Sequence, residues 1–259
     1  MNFIQVTDIG IPELQIYHQM RENAFKEDGS FIADSPKVVN LLLEQDIKIR
    51  SIFATQEYYD RYADLIETKE IPVPYVASKA VMEKIVGHTI HHNVMMHAIR
   101  PLPTPLASLG DQIIMLDEIS STQNIGAIAR SAAALGVRSY LLPQQRPHPY
   151  ARRAVRVSMG HIGLMDYHLY EDIFGTIRTL KALGYRVYAA EVTEDSTPLS
   201  QVKTADKWVL LMGHEEKGIA KDILNVCDEV VTIEMEEGIK SFNVSVAASI
   251  VIYRFKHSF

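Results

Sequence analysis

The sequence of 259 residues predicts an α/β protein built from two parts. Apolar residues make up 47% of the chain and charged residues 22%, as is usual for a soluble protein with a sizeable core. Segments with helical periodicity alternate with short runs typical of strands. Three prolines fall within five positions of PLPTPLASLGD (101–111), which excludes a helix or an interior strand there. We therefore expect a domain over 1–100, a linker over 101–111 and a domain over 112–259.

The first part is predicted to be a small α/β domain. Pro12 stands early in its first helix, and Ser78 is the expected cap of its last helix. Helices are predicted over 11–25, 36–45, 56–68 and 78–87. Strands are predicted over 47–55, 71–77 and 93–99. Nothing in this part suggests a catalytic group of residues.

The second part alternates in the same way and predicts a mostly parallel sheet covered by helices on both faces. Strands are predicted over 112–119, 137–143, 185–192, 206–213 and 229–235. Helices are predicted over 124–136, 171–184, 218–226 and 241–259. Residues 149–160 form a helix or a turn that carries arginines.

Several classes of protein are disfavoured. No apolar run approaches the ~18 residues of a transmembrane helix, and MNFIQVTDIG lacks the features of a signal peptide. The single cysteine, Cys227, cannot form an internal disulfide, so we expect a cytoplasmic protein and assign Cys227 to the core. A cluster of histidines lacks carboxylate or cysteine partners, so no metal site is expected; it comprises His88, His91, His92 and His97.

The charge is unevenly distributed. The chain carries −6, but the window from Ile119 to Met165 has no Asp, Glu or Lys and carries +6, so the remainder carries −12. Guanidinium groups match phosphate geometry, which favours a local anion site over solvated arginines on unrelated faces. The arginines of this window are Arg130, Arg138, Arg146, Arg152, Arg153 and Arg156.

Three polar loops follow predicted strands, where ligands bind in parallel α/β sheets. They occur in LDEISSTQNIGAIARS, LLMGHEEKGI and IEMEEGIKSFNVSVAAS. The second loop has two glycines five positions apart, but Ile219 and Ala220 stand where a phosphate loop needs Lys and Ser or Thr. No GxGxxG pattern is present, so a standard dinucleotide site is disfavoured, and no GxSxG pattern is present, so a serine-hydrolase nucleophile elbow is disfavoured too.

From Leu116 onward the chain resembles the SpoU (TrmH-type) family of RNA 2′-O-ribose methyltransferases, within the SPOUT superfamily. Its N-x-G-A-I-x-R motif is matched by Asn124, Gly126, Ala127, Ile128 and Arg130. Its G-x-E-G-x-G motif is matched by Gly213, Glu215 and Gly218, with Glu216 in place of a glycine. Its third motif is matched by Ile233, Met235, Ser241, Asn243, Val244, Ser245, Val246 and Ala247, with Glu234 in place of a proline and Phe242 in place of a leucine.

This resemblance implies a trefoil-knotted methyltransferase domain that binds S-adenosylmethionine and forms a homodimer, preceded by a domain similar to ribosomal protein L30e. The implied substrate is ribosomal or transfer RNA. Gly213, Ile233 and Phe242 would contact the cofactor. The implied catalytic residues are Arg130, Asn124, Glu215, Ser241 and Asn243, with Glu215 holding Arg130 as a forked pair. Arg146, Arg152, Arg153 and Arg156 would receive RNA phosphates.

Two alternatives remain open. Ser241 and Asn243 stand at the start of the last helix, and both are residues that cap helices. One of them would cap, while the other would face the ribose, unless both serve only the helix terminus. At the level of the whole protein, the alternative to an enzyme is a non-catalytic RNA-binding protein on the same fold.

Overall fold

The structure is a computed structural model that describes residues 2–18, 28–145 and 147–257. Its strands are β1 (Ile4–Gln5), β2 (Ser30–Asp34), β3 (Ile49–Ala54), β4 (Pro74–Val76), β5 (Val94–Ile99), β6 (Gln112–Leu116), β7 (Ser139–Pro143), β8 (Asp166–Tyr170), β9 (Arg186–Ala190), β10 (Thr197–Pro198), β11 (Trp208–Met212) and β12 (Glu229–Thr232). Its helices are α1 (Gln15–His18), α2 (Pro36–Leu43), α3 (Gln56–Arg61), α4 (Ala63–Glu67), α5 (Lys79–Val86), α6 (Thr122–Ala134), α7 (Arg152–Val157), α8 (Ile173–Ala182), α9 (Lys221–Leu224) and α10 (Val244–Lys256).

The chain divides into two units. The first unit comprises Met1–Leu102 and Tyr150–Gly163, and the second comprises Pro103–Pro149 and Leu164–Phe259. None of the described helices is long and apolar enough to span a membrane.

The first unit contains a five-stranded sheet in the order β1-β4-β3-β5-β2. β5 runs antiparallel to β2 and β3, whereas β4 runs parallel to β3 and β1. The helices bury an apolar side against this sheet, because their apolar residues recur at helical spacing. The core of one face includes Ile32, Phe53, Tyr75, Met82, Ile85 and Met95.

The second unit contains a seven-stranded sheet in the order β10-β12-β9-β11-β6-β7-β8. Every pair of neighbouring strands in it is parallel, as the sequence predicted. Central strands such as WVLLM of β11 are buried along their whole length, which explains their continuous apolar sequence. The core includes Ile113, Met115, Leu141, Val187, Val209 and Leu211.

The segment Tyr150–Gly163 differs from the expected arrangement, because it groups with the first unit and not with the residues around it in sequence. The Tyr150 ring contacts the Phe31 ring with centroids 5.0 Å apart. Arg152 forms a salt bridge with Asp34 at the end of β2. At Gly160, where φ is +85°, a Cβ would lie 3.0 Å from the Val38 carbonyl oxygen, so this glycine permits a close approach to α2.

Several element boundaries also differ from prediction. The sequence predicted no strand at β2 or β8, although both belong to their sheets. The helix expected over 11–25 begins as a 3-10 turn at Pro12–Leu14 followed by α1, and its residues from 19 onward lie outside the described residues. The helix expected from residue 124 begins at Thr122, with the Ser121 side chain capping it.

Candidate active site

A cavity of about 350 Å³ lies at the carboxyl ends of the neighbouring strands β9, β11 and β12 in the second unit. This edge is where parallel α/β sheets bind ligands, because the loops that leave the strands diverge there. The lining residues come from the ends of these strands, from the loop after β11 and from the segment before α10. They include the predicted cofactor residues Gly213, Ile233 and Phe242, and also Glu215 and Ser241.

The loop after β11 is held in a tight conformation. His214 and Gly218 exchange two backbone hydrogen bonds, of 3.2 and 3.0 Å. Gly218 has a φ of +65°, and a Cβ added there would lie 2.1 Å from Glu191 Oε2. A Cβ at Gly213 would lie 2.5 Å from Ile219 Cγ1 and 2.6 Å from the Gly218 carbonyl carbon. The loop therefore requires glycine at both positions.

Three predicted catalytic residues, each from a different segment, form one chain of hydrogen bonds. The Asn124 side-chain amide donates to Glu215 Oε1 at 2.9 Å. The Asn243 side-chain amide donates to Asn124 Oδ1 at 3.2 Å. Glu215 also accepts from the backbone amides of Ser121 at 3.1 Å and Ser120 at 3.3 Å. These contacts join the three polar loops that the sequence singled out.

The carboxylate of Glu215 is stabilised in its charged form. Burial raises the pKa of this carboxyl group, but hydrogen bonds from Asn124 and from backbone amides, including those of Ser121 and Ser120, together outweigh burial. Its pKa consequently lies below the ordinary value. Glu215 thus accepts hydrogen bonds as an anion at neutral pH.

Asn243 both caps α10 and reaches across to α6. Its Oδ1 accepts from the Ser245 backbone amide at 2.9 Å and from the Ser245 hydroxyl at 2.6 Å. Its amide nitrogen donates to Asn124. The exposed Ser241 lies before the helix and lines the cavity. The two residues therefore have different positions: Asn243 caps the helix and Ser241 does not.

Arg130 does not pair with Glu215, which corrects the forked pair expected from the sequence. Glu215 is directed to Asn124 and to the loop that precedes α6. Arg130 is exposed on α6, and within the described part of the chain it has no hydrogen bond or ion pair. Its guanidinium is accordingly available to a ligand.

The two acidic replacements in the motifs occupy different environments. Glu216 is exposed and lines the cavity. Glu234 lies outside the lining, and its carboxylate accepts from the backbone amide of Ser200 at 3.2 Å and from the Ser200 hydroxyl. These contacts lower the pKa of Glu234 and hold its charge away from the cavity.

Sequence reasoning missed Glu191, which lies immediately after β9 and lines the cavity. Its Oε2 accepts from the Ile219 backbone amide at 2.8 Å, and its Oε1 accepts from its neighbour Val192 at 3.0 Å. Glu191 therefore ties the end of β9 to the glycine loop. Its partner is a backbone amide on a distant segment, so the only sequence signal was an acidic residue after a buried strand.

The predicted RNA-binding arginines that the structure describes all lie in the first unit. Arg152, Arg153 and Arg156 lie on α7 in the first unit, and Arg153 and Arg156 are exposed. Arg146 lies outside the described residues. The sequence had placed all of them in the methyltransferase domain.

Metal and thiol chemistry find no further support in the described residues. Among residues 2–18, 28–145 and 147–257, no three His, Cys, Asp or Glu side chains are grouped to hold a metal ion. The Cys227 thiol donates to the Ile223 carbonyl at 3.3 Å and packs against the core of the second unit. Burial raises the pKa of this thiol to about 12, so it is protonated at neutral pH.

Residues 111–253 match the SpoU rRNA Methylase family. The chain belongs to that family. An uncharacterized tRNA/rRNA methyltransferase of Mycobacterium bovis is 30% identical over 229 residues, covering 86% of this chain and 79% of the relative. The 23S rRNA (guanosine-2′-O-)-methyltransferase RlmB of Acinetobacter baylyi is 28% identical over 187 residues, covering 68% of this chain and 75% of RlmB.

Solved structures of similar proteins share the fold of this SpoU-family chain. The AdoMet-bound rRNA methyltransferase from Sinorhizobium meliloti has a TM-score of 0.84 at 22% identity, covering 98% of this chain and 97% of the other. The SpoU methyltransferase AviRb from Streptomyces viridochromogenes in complex with AdoMet has a TM-score of 0.79 at 17% identity, and the match covers 95% of this chain and 97% of AviRb. The membership confirms the predicted enzyme class, an RNA methyltransferase.

The cavity of this SpoU-family chain suits S-adenosylmethionine, the cofactor that the sequence predicted. Its volume of about 350 Å³ falls within the range of small-molecule sites, about 300–1,000 Å³. Apolar side chains line it, including Met212, Val231 and Ile233, and the close glycine loop exposes backbone groups beside them. The carboxylate of Glu191 adds a negative group that suits a ligand carrying a positive charge.

Proposed function

We propose that this protein methylates a ribose 2′-hydroxyl of ribosomal or transfer RNA with S-adenosylmethionine as the methyl donor. The observation that carries the proposal is the chain of hydrogen bonds from Asn243 through Asn124 to Glu215 beside the cavity. A helix cap alone does not require Asn243 to bind a buried Asn124, nor Asn124 to bind a charged carboxylate. Relatives described as tRNA/rRNA methyltransferases and as a 23S rRNA 2′-O-methyltransferase support the substrate class.

The residues of the site would position the reactants. S-adenosylmethionine supplies an already activated methyl group, so alignment is the main task and can contribute ~7–11 kcal/mol. Gly213, Ile233 and Phe242 would hold the cofactor. Glu215 fixes the orientation of Asn124. Ser241, on the cavity wall, would contact the ribose.

Arg130 is proposed to bind the phosphate next to the target ribose and to stabilise the developing alkoxide. Arginine is a poor general base because the pKa of its guanidinium exceeds about 12. The exposed, unpaired position of Arg130 within the described part of the chain supports a role in binding substrate. A positive charge near the hydroxyl also makes loss of its proton to solvent water easier, and S-adenosylhomocysteine leaves as the S–CH₃ bond breaks and the O–CH₃ bond forms.

We further propose the finer architecture implied by the family resemblance: a trefoil knot, an L30e-like first domain and a homodimer. The strand order supports the knot, because β12 lies beside β9, and α10 then returns to pack on α6, which follows β6. The mixed sheet of the first unit, with its flanking helices, is compatible with an L30e-like domain. RNA as substrate and a single unpaired cysteine favour the cytoplasm.

The decisive test is transfer of labelled methyl groups from S-adenosylmethionine to unmodified ribosomal and transfer RNA. We expect label at an alkali-resistant dinucleotide with the wild type and at least a tenfold slower rate with Arg130→Ala. Arg178→Ala, which removes an exposed arginine from α8, serves as the matched control and should keep the wild-type rate. Absence of label with both RNAs and folded wild-type protein would support the non-catalytic RNA-binding alternative.

A further inference from the structure

A second cavity, of about 250 Å³, lies within the first unit. It is lined by the histidine-containing segment 88–92, by Asp34 at the end of β2, and by Arg152 and Arg156 of α7. All of these residues belong to the first unit, and none of them lines the cavity of the second unit.

The cavity is lined by an ion pair between a half-buried arginine and a buried aspartate, and each of the two has a polar atom without a partner among the described residues. Arg152 donates to Asp34 Oδ2, and Asp34 is only 6% exposed. Asp34 Oδ1 and Arg152 Nε are both buried, and neither has a hydrogen-bond partner among the described residues. Unpaired polar atoms in a buried position are costly, so the Arg152 Nε–H calls for an acceptor such as an anionic ligand, whereas Asp34 Oδ1 calls for a donor such as a water molecule.

The backbone next to this pair is also unusual. Ser35 follows Asp34 and has a φ of 82°, in the region that side chains other than glycine rarely adopt. Such conformations cost of order 1–3 kcal/mol and are concentrated at ligand sites. The strain lies where β2 ends and the cavity begins.

Arg156 adds a positive charge to the same cavity. Arg156 lies four residues after Arg152, so the two side chains share one face of α7. Arg156 is exposed, and within the described part of the chain it has no hydrogen bond or ion pair. His92 lines the same cavity and carries a ring nitrogen that can donate a hydrogen bond.

The charges favour an anion. Two guanidinium groups face a single carboxylate, and Asp34 is already paired with Arg152, so Arg156 adds an uncompensated positive charge. A metal ion is disfavoured because both arginines would repel it. Among anions, phosphate suits guanidinium groups because its oxygens accept forked hydrogen bonds.

We propose that this cavity binds a backbone phosphate of the RNA substrate, so that the first unit holds the RNA through Arg156 while the second unit carries out methyl transfer. This inference rests on the proposed function for the identity of the polymer. Arg156 makes the direct contact, Arg152 is fixed by Asp34 at the rear of the site, and His92 donates from the side. A phosphate contact positions RNA without reading its sequence.

The test measures how full-length protein binds fluorescent oligouridine and oligoadenosine over a range of salt concentrations. Arg156→Gln removes the charge and keeps a long polar side chain. We expect it to weaken binding of both oligonucleotides by roughly tenfold and to reduce the slope of log affinity against log salt by ~0.7. Arg156→Lys should retain most of the slope, since it retains the charge.

Arg61→Gln is the matched control, because Arg61 is also an exposed arginine at the end of a short helix in the first unit. Unchanged affinity and slope for Arg156→Gln, or a loss equal to that of Arg61→Gln, would overturn the proposal. A loss with only one oligonucleotide would also overturn it, because it would indicate base recognition. The proposed function is tested separately: it would be wrong if wild-type protein transferred no methyl groups to ribosomal or transfer RNA.

Discussion

Asn243 combines two tasks that can be separated by substitution. Asn243→Ser keeps an oxygen that caps α10 but loses the amide that donates to Asn124. We expect the free energy of unfolding of this variant to lie within a few tenths of a kcal/mol of the wild-type value. We expect its rate of methyl transfer to be at least tenfold lower. The measurements are thermal unfolding and the initial rate of labelled methyl transfer.

Asn243→Ala provides the comparison, because it loses both the cap and the link to Asn124. It should lower the free energy of unfolding by about 1 kcal/mol, as lost caps do, in addition to slowing methyl transfer. If Asn243→Ser retained the full rate, the residue would serve only the start of the helix.

Glu215 provides a prediction about pH. Its pKa is lower in the folded protein than its ordinary value, so its charged form stabilises the folded state at pH above the ordinary pKa. That stability disappears as pH falls through the lower, folded pKa. Glu215→Gln should therefore reduce the melting temperature at pH 7, and the difference from wild type should shrink as pH falls below about 4. If the difference in melting temperature between Glu215→Gln and the wild type stayed the same at every pH, the ionisation of Glu215 would not contribute to stability.

The residues of the site differ in how readily they could be predicted from the sequence. Asn124, Glu215 and Asn243 were found because each follows a predicted strand and matches a family motif, and the structure joins them directly. Glu191 was missed because its partners are backbone amides, which cannot be identified from residue types. The same reason explains the error about Glu215, whose partners include the Ser120 and Ser121 amides and exclude Arg130.

At the scale of elements, the glycine loop after β11 is under a tight steric constraint. Gly218→Ala would place a Cβ 2.1 Å from Glu191 Oε2 at a φ of +65°, so the loop or Glu191 must move. We expect at least tenfold weaker binding of S-adenosylhomocysteine, because the loop lines the cavity. Isothermal titration calorimetry measures this directly.

Gly184→Ala is the control for this prediction. Gly184 has a φ of +88°, but nothing lies within 4 Å of its Cβ position, and it is absent from the cavity lining. It shares the backbone strain of about 1–2 kcal/mol without the collision. If Gly218→Ala and Gly184→Ala lost the same affinity for S-adenosylhomocysteine, the cause would be backbone strain and not the contact with Glu191.

Strands were predictable where the apolar run is long and unbroken, and β2, with the sequence SFIAD, was missed although it is buried along its whole length. β6 and β11 are buried, continuous apolar runs, and their positions followed from sequence. β8 has the sequence DYHLY, in which Asp166 and His168 interrupt the apolar pattern, and it was missed. The grouping of Tyr150–Gly163 with the first unit was not predictable, because it depends on contacts such as Arg152 with Asp34, which lie 118 residues apart.

At the scale of the whole molecule, α10 presents apolar side chains to solvent. Val246 is 46% exposed and Tyr253 is 51% exposed, and their separation of seven residues places them on one face of the helix. Phe242, 41% exposed, precedes the same helix. Single exposed apolar residues are ordinary, but a row of them indicates a surface that another chain covers. This row supports the proposed homodimer.

Val246→Glu tests the homodimer, because a charge at the centre of an apolar interface must be desolvated when the interface forms. We expect wild-type protein to sediment as a dimer at micromolar concentration and Val246→Glu to sediment as a monomer. Leu102→Glu is the control: Leu102 is 88% exposed and lies away from α10 in sequence, so this variant should remain dimeric. A wild-type protein that sediments as a monomer, or a Val246→Glu variant that remains dimeric, would show that this face of α10 is not the interface.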